Sequence, residues 1–137
     1  MADVLHKVDY YYMLLPDRVG VGAKVLGDLA THEVNLRAFS GFPNGRRVQL
    51  DLFPENSKEL VAAAKALRLP LSRRERSFLL QGADRPGALT AILAKLAKAG
   101  ISVTALDAVT AGKGRFGAIF WVKPEDYTRA AKLLKAK

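Results

Sequence analysis

This chain has few residues with which to do covalent chemistry. Cysteine is absent, which removes thiol nucleophiles, disulfides and cysteine-ligated metals. His6 and His32 are the only histidines, and neither has a partner pattern near it, so no metal site and no acid–base pair is indicated. His32 lies near a helix end and suits a partner of the C-terminal dipole. Asp51, Asp107, Glu125 and Asp126 show no convergent spacing for paired-carboxylate work, and no nucleophile motif occurs. The expectation is a non-enzyme with no cofactor and no metal. What does recur is a charged turn. Asp17-Arg18-Val19-Gly20 returns 67 positions later as Asp84-Arg85-Pro86-Gly87, each time a carboxylate, a guanidinium and a glycine within four residues.

The elements around those turns repeat as well. The same shift pairs Val25 with Ile92, Leu26 with Leu93, Leu29 with Leu96, Ala30 with Ala97, Val34 with Ile101 and Leu36 with Val103. Further on, matching Phe53-Pro54-Glu55 to Lys123-Pro124-Glu125 widens the shift to 70, which implies three extra residues in a hairpin of the second copy. Such order at a fixed period is the mark of a duplication. In copy one the pattern predicts a strand over Val8–Leu15 and a helix from Gly20 to His32. Strands follow at Val34–Ser40 and Arg47–Phe53 around Phe42-Pro43-Asn44-Gly45, then an Ala-rich helix over Ser57–Leu67. In copy two, Ser77–Gln81 is a strand. Pro86 then suits the first helical turn, and Leu89, Ile92, Leu93 and Leu96 form one apolar stripe. Gly100 ends that helix, Ile101–Thr110 and Phe116–Val122 are strands about a turn at Ala111–Arg115, and Pro124-Glu125-Asp126 opens the last helix.

Each copy therefore reads βαββα. The fold class expected is α+β: two tandem βαββαβ ferredoxin-like repeats, residues 1–70 and 71–137, with antiparallel sheets and helices on one face. The final strand of each repeat has no clear segment of its own. Leu69–Ser72 and the residues after it can supply the first; in the second the fourth strand is either missing or filled by Asp3–His6.

Asp84-Arg85-Pro86-Gly87-Ala88-Leu89, followed by Leu96-Ala97-Lys98-Ala99-Gly100-Ile101-Ser102-Val103, resembles the signature of ACT domains. Copy one resembles it more loosely through Asp17-Arg18-Val19-Gly20 and Glu33-Val34-Asn35-Leu36, with Val19 in place of the signature proline and Asn35 where copy two has Ser102. The resemblance implies a regulatory module that binds a small molecule, an amino acid, near the first strand–helix turn and between paired units. It also implies a homo-oligomer or a protein partner. The residues it nominates are Asp17, Arg18, Val19, Gly20 and Asn35 in one copy, and Asp84, Arg85, Pro86, Gly87, Ala88, Leu89 and Ser102 in the other. Their chemistry suits the task. Glycine admits a ligand to the backbone, a helix start favours a carboxylate, and Asp17 or Asp84 can take an ammonium. Gly22 and Gly27 fall inside the first helix, where each costs about 1 kcal/mol relative to alanine.

Two motifs compete with this reading. Gly112-Lys113-Gly114-Arg115-Phe116-Gly117 spells G-x-G-x-x-G, but a strand follows it where a dinucleotide site needs a helix, so a hairpin is expected. Around the same residues, Lys113 to Phe120 resembles the third strand of RNA-recognition motifs, with Phe78 as a second stacking ring. RNA binding is thus the runner-up, and a ligand-free assembly scaffold the third reading. The other interpretation of Phe116, Ala118 and Phe120 is core, with Ile119 and Trp121 on a second covered face. Tyr10-Tyr11-Tyr12 reads likewise as core or interface. Net charge is +9 and uneven, with 9 Lys/Arg against 8 Asp/Glu in residues 1–69 and 13 against 5 in residues 70–137. No apolar run reaches the ~18 residues of a membrane span and no signal core opens the chain, so a cytoplasmic location is expected.

Overall fold

The computed structural model describes residues 3–137. Six strands and four helices follow in order: β1 Val4–Pro16, α1 Val21–Thr31, β2 Leu36–Asn44, β3 Arg47–Pro54, α2 Ser57–Leu67, β4 Glu75–Ala83, α3 Thr90–Lys98, β5 Val103–Gly112, β6 Arg115–Val122 and α4 Tyr127–Leu133. The chain divides into two compact units. One is continuous, Asp9–Glu75; the other is split, joining the segment up to Val8 to Arg76–Lys137. None of the helices is long and apolar enough to cross a membrane.

In the continuous unit β2, β3 and the second half of β1 are antiparallel neighbours in that order, β3 in the middle. Strand alternation sends Tyr11, Met13, Leu50 and Leu52 to one face, where they meet Val25 and Leu29 of α1 and Leu60 and Ala63 of α2. Both helices therefore lie on that face. Residues after α2 run beside β1: Ser72 donates its N–H to the Tyr12 carbonyl at 2.9 Å, and its Oγ accepts the Tyr12 N–H at 2.9 Å.

The split unit repeats the plan with β5, β6 and β4. Its core holds Phe78, Leu80, Phe116, Ala118 and Phe120 from the strands, with Leu96, Ile101, Tyr127 and Ala130. Phe78 and Phe120 face each other directly in register and stack at 5.0 Å, each with no exposed surface. Burying one such ring is worth about 1.5–3 kcal/mol. Tyr127 donates its hydroxyl to the Ser77 carbonyl at 2.9 Å, so its polar end is satisfied inside the core. The slot beyond β4 is filled by the first half of β1, and Lys137 pairs with it, donating to Leu5 and accepting from Lys7 at 2.9 and 2.8 Å.

The division thus differs from the expected 1–70 and 71–137. Residues up to Val8 group with the second half, because the first half of β1 neighbours β4, and Leu71–Glu75 group with the first, where Ser72 is bonded to Tyr12. The three-residue insertion is also overturned. All four helices end with the following residue or the next but one in the left-handed conformation: Glu33, Arg68, Gly100 and Lys135, at φ 56°, 56°, 72° and 53°. At each, the next N–H reaches back five residues, as Val34 to Leu29, Leu69 to Ala64, Ile101 to Leu96 and Ala136 to Ala131. Glu33 and Gly100 are 67 apart, and so are Arg68 and Lys135. The second copy has one extra residue in β5, absorbed by the register shift between Thr110 and Gly112, and loses it again before α4.

Candidate functional site

The charged turn of the split unit begins where β4 ends. Asp84 donates its N–H to the Gly114 carbonyl at 2.8 Å, so the β5–β6 hairpin holds the start of the turn. Two successive turns follow, closed by Ala88 N–H to Arg85 C=O at 3.2 Å and Thr90 N–H to Gly87 C=O at 3.0 Å. Gly87 takes φ +71°, a conformation that a side chain disfavours. That left-handed residue delays the helix. Pro86 therefore sits inside the turn, and α3 starts at Thr90 instead of at the expected Pro86.

Between this turn, the start of α3 and the end of β5 lies a groove of about 350 Å³. Asp84, Gly87, Ala88 and Leu89 line one side with Thr90 and Leu93. Ala108, Val109 and Thr110 of β5, with Phe116, line the other. The walls are largely apolar. Asp84, one of the lining residues, forms no ion pair among the described residues. The first turn of α3 adds N–H groups without intrahelical acceptors.

Four of the seven residues nominated in copy two meet here: Asp84, Gly87, Ala88 and Leu89. Pro86 shapes the turn without lining the groove. Arg85 points elsewhere, binding Asp3 through Nη2 at 2.8 Å and Nη1 at 3.1 Å, and the Ala83 carbonyl at 2.7 Å. That contact first, and its charge with it, holds the Asp3 carboxyl below its ordinary range against a smaller opposing effect of burial. Ser102 lies at the other end of the sheet, beside the Val103–Val122 pair, whereas the turn adjoins Ala83–Arg115. The nine residues of α3 alone put about 13 Å between the two ends.

Copy one shows the same separation. Gly20 (φ +89°) opens α1 directly, and Asp17, Arg18 and Val19 are exposed around it, Val19 fully. Asn35 is at the far end, where its Nδ2 donates to Glu55 Oε2 and its carbonyl accepts the Glu55 N–H at 2.9 Å. It fastens β2 to the end of β3 and does not approach the turn.

Thr90, Leu93, Ala108, Val109, Thr110 and Phe116 were not nominated from sequence. Leu93 had a signal, since it follows Leu89 by four residues on one helix face. The strand residues had none, because only the β5–β6 register brings Thr110 opposite Phe116. The G-x-G-x-x-G run is a hairpin with Gly112, Lys113 and Gly114 all at positive φ, as expected. Phe78, Phe116 and Phe120 are buried core, so they offer no platform for base stacking. No cluster of potential metal ligands occurs among the described residues.

Residues 77–136 match the family model for the ACT domain. No curated protein matches the chain. Among solved structures, a protein of Bacteroides thetaiotaomicron superposes with a TM-score of 0.80 at 18% identity, over 96% of this chain and 88% of that one. The ligand-free regulatory subunit of aspartate kinase from Thermus thermophilus gives 0.64 at 14% identity, over 98% and 95%. The regulatory subunit of aspartate kinase from Thermus flavus gives 0.61 at 16%, over 98% and 94%. At these identities the likeness establishes the fold: α+β, with ferredoxin-like βαββαβ units.

Proposed function

We infer that this chain is a non-catalytic regulatory module whose ligand is a small amino acid bound in the groove at the β4–α3 turn. The observation that carries this reading is the groove itself. Asp84, without an ion-pair partner among the described residues, and a helix start line a cleft together with Leu89, Leu93, Val109 and Phe116. That arrangement suits a zwitterion with an apolar side chain: ammonium on Asp84, carboxylate toward the first turn of α3, side chain along the leucines. The ACT match over this stretch supports a small-molecule site, and the regulatory subunits of aspartate kinase that share the fold support a regulatory role. Ligand would draw α3 and β5 together and so favour one state of the module, which is what a switch requires.

Strand β5 also supports self-association. Eight of its ten residues are exposed, Val109 by 72%, and Asp107 is its only charged residue. A long, nearly uncharged edge strand can pair with a second copy. Light scattering with and without ligand measures this, and a monomer under both conditions overturns it.

A thermal-shift screen of the twenty amino acids tests the ligand. An aliphatic amino acid should raise the melting temperature, and Asp84→Asn should weaken it about tenfold, the scale of one charge-assisted hydrogen bond. Silence from all twenty, or a response that Asp84→Asn leaves intact, overturns the reading.

A further inference from the structure

A second concavity, of about 310 Å³, opens on the split unit away from the turn groove, and it is cationic. Thr128, Lys132 and Lys135 line one wall, spaced four and three residues apart on one side of α4 and its cap. Lys7 of β1 and Arg76 of β4 line the other. Tyr127 lies beneath, and the Arg76 guanidinium sits 4.3 Å from its ring centre, which fixes the charge in place. Among the described residues, no carboxylate side chain lines the space.

Two ordinary explanations fall short. Lysines near a helix C-terminus offset its dipole, but that amounts to about half a charge against four cations. Nor does the fold demand the whole set, since the continuous unit is built without the counterparts of Arg76, Tyr127 and Thr128. At the matching positions, 67 away, it keeps a base for three of the four cations, Lys65 for Lys132, Arg68 for Lys135 and Arg74 for Lys7, but has Val61 for Thr128, Leu60 for Tyr127 and Asp9 for Arg76. The charge reversal at Arg76 and the added hydroxyl occur only in the second copy. Lys135 stands at φ 53° and its counterpart Arg68 at φ 56°, so both copies place a base where glycine would be more comfortable.

We propose that this concavity is an anion site for the phosphoryl group of a small molecule. The four cations and Thr128, all exposed, line one half-open concavity small enough for a compact doubly charged oxyanion, whereas a nucleic-acid backbone calls for a long stripe. The site is separate from the turn groove and stands or falls independently of the amino-acid reading.

Titration of the full chain with inorganic phosphate and with pyrophosphate at low ionic strength, followed by amide NMR and calorimetry, provides the test. Saturable shifts should centre on Thr128, Lys132 and Lys135. Lys132→Ala should weaken binding about tenfold or more, while Lys58→Ala, a matched loss of charge on the continuous unit, should not. Lys135→Gly removes a cation and relieves its backbone at once, so a loss of binding there cannot be blamed on unfolding. No saturation in the millimolar range, or equal weakening by Lys58→Ala, overturns the proposal. So does tighter binding of single-stranded RNA with a steep salt dependence, which would make the surface a polyanion patch.

Discussion

Arg85 grips Asp3 across 82 positions of sequence with two nitrogens on two oxygens. Gly82 makes room for the contact, since a Cβ there would collide with the Asp3 carboxylate and stand 3.0 Å from the Phe116 ring. The pair thus ties the leading segment of β1 to the turn that carries the groove. It also explains why Arg85, nominated beside Asp84, is not in the groove: its charge is already committed.

The pH dependence of that tie follows from its sign. Asp3 has a lowered folded pKa, so its contribution is complete above the unfolded value of 3.8 and is lost as pH falls through the folded one. Asp3→Asn should therefore melt below the wild type at neutral pH, and the gap should close on acidification below 3.8. Melting curves across that range check it. A gap that persists in acid would mean the asparagine acts through packing instead.

The two turn glycines differ in their surroundings. At Gly20 (φ +89°) an added Cβ meets open space, whereas at Gly87 (φ +71°) it stands 3.1 Å from Thr90 Oγ1. Alanine at either position incurs about 1–2 kcal/mol for the left-handed backbone. Gly87→Ala should cost more than Gly20→Ala, and it should also impair ligand capture, because Thr90 lines the groove. Urea denaturation of both variants compares them, and equal losses would show that Thr90 yields freely.

What could be read from the sequence was whatever local pattern decides. Helix α2 spans Ser57–Leu67 as expected, since Asn56 caps the Glu59 N–H and the apolar spacing stops at Leu67. The faces of β6 were equally legible, with Phe116 and Phe120 in the core and Ile119 and Trp121 buried opposite. Long-range choices were not. Asp3–His6 was one of two options for the sheet of residues 76–137, and nothing local chose between that segment, which the structure uses as Val4–Val8, and a missing strand. The pairing of Asn35 with the glycine turn failed for a related reason: a helix starts and ends at opposite edges of its unit, so residues bracketing it are neighbours only in sequence. Pro86 was misplaced because its fixed φ suits a helix start, while Gly87 after it forbids one.

The split unit should consequently depend on the start of the chain. A fragment of residues 71–137 leaves the β4 edge uncovered where residues 4–8 lie in the intact chain. It should unfold less cooperatively than a fragment of residues 76–137 with residues 3–8 supplied by a linker. Amide exchange in β4 reads this directly, with protection of Phe78–Leu80 expected only when the strand is present. Equal protection in both fragments would make the added strand incidental.

Asp51 carries the opposite pH signature. It is only 4% exposed on β3, in register with Tyr12 on one side and Ser40 on the other, and Gln49 donates to it at 2.8 Å. Burial raises its pKa, and the Gln49 hydrogen bond only partly offsets this. A raised carboxyl pKa favours folding below the unfolded value of 3.8, and that advantage is lost as pH climbs through the folded value. At neutral pH the buried ion is a net cost. Asp51→Asn keeps an oxygen for Gln49 while removing the charge, so it should stabilise the chain at neutral pH by on the order of 1 kcal/mol. Below 3.8 the gain should vanish, since both side chains are then neutral. Melting of the two proteins at neutral and acid pH decides the matter. A loss of stability at neutral pH would mean that the hydrogen bonds to the carboxylate outweigh its desolvation.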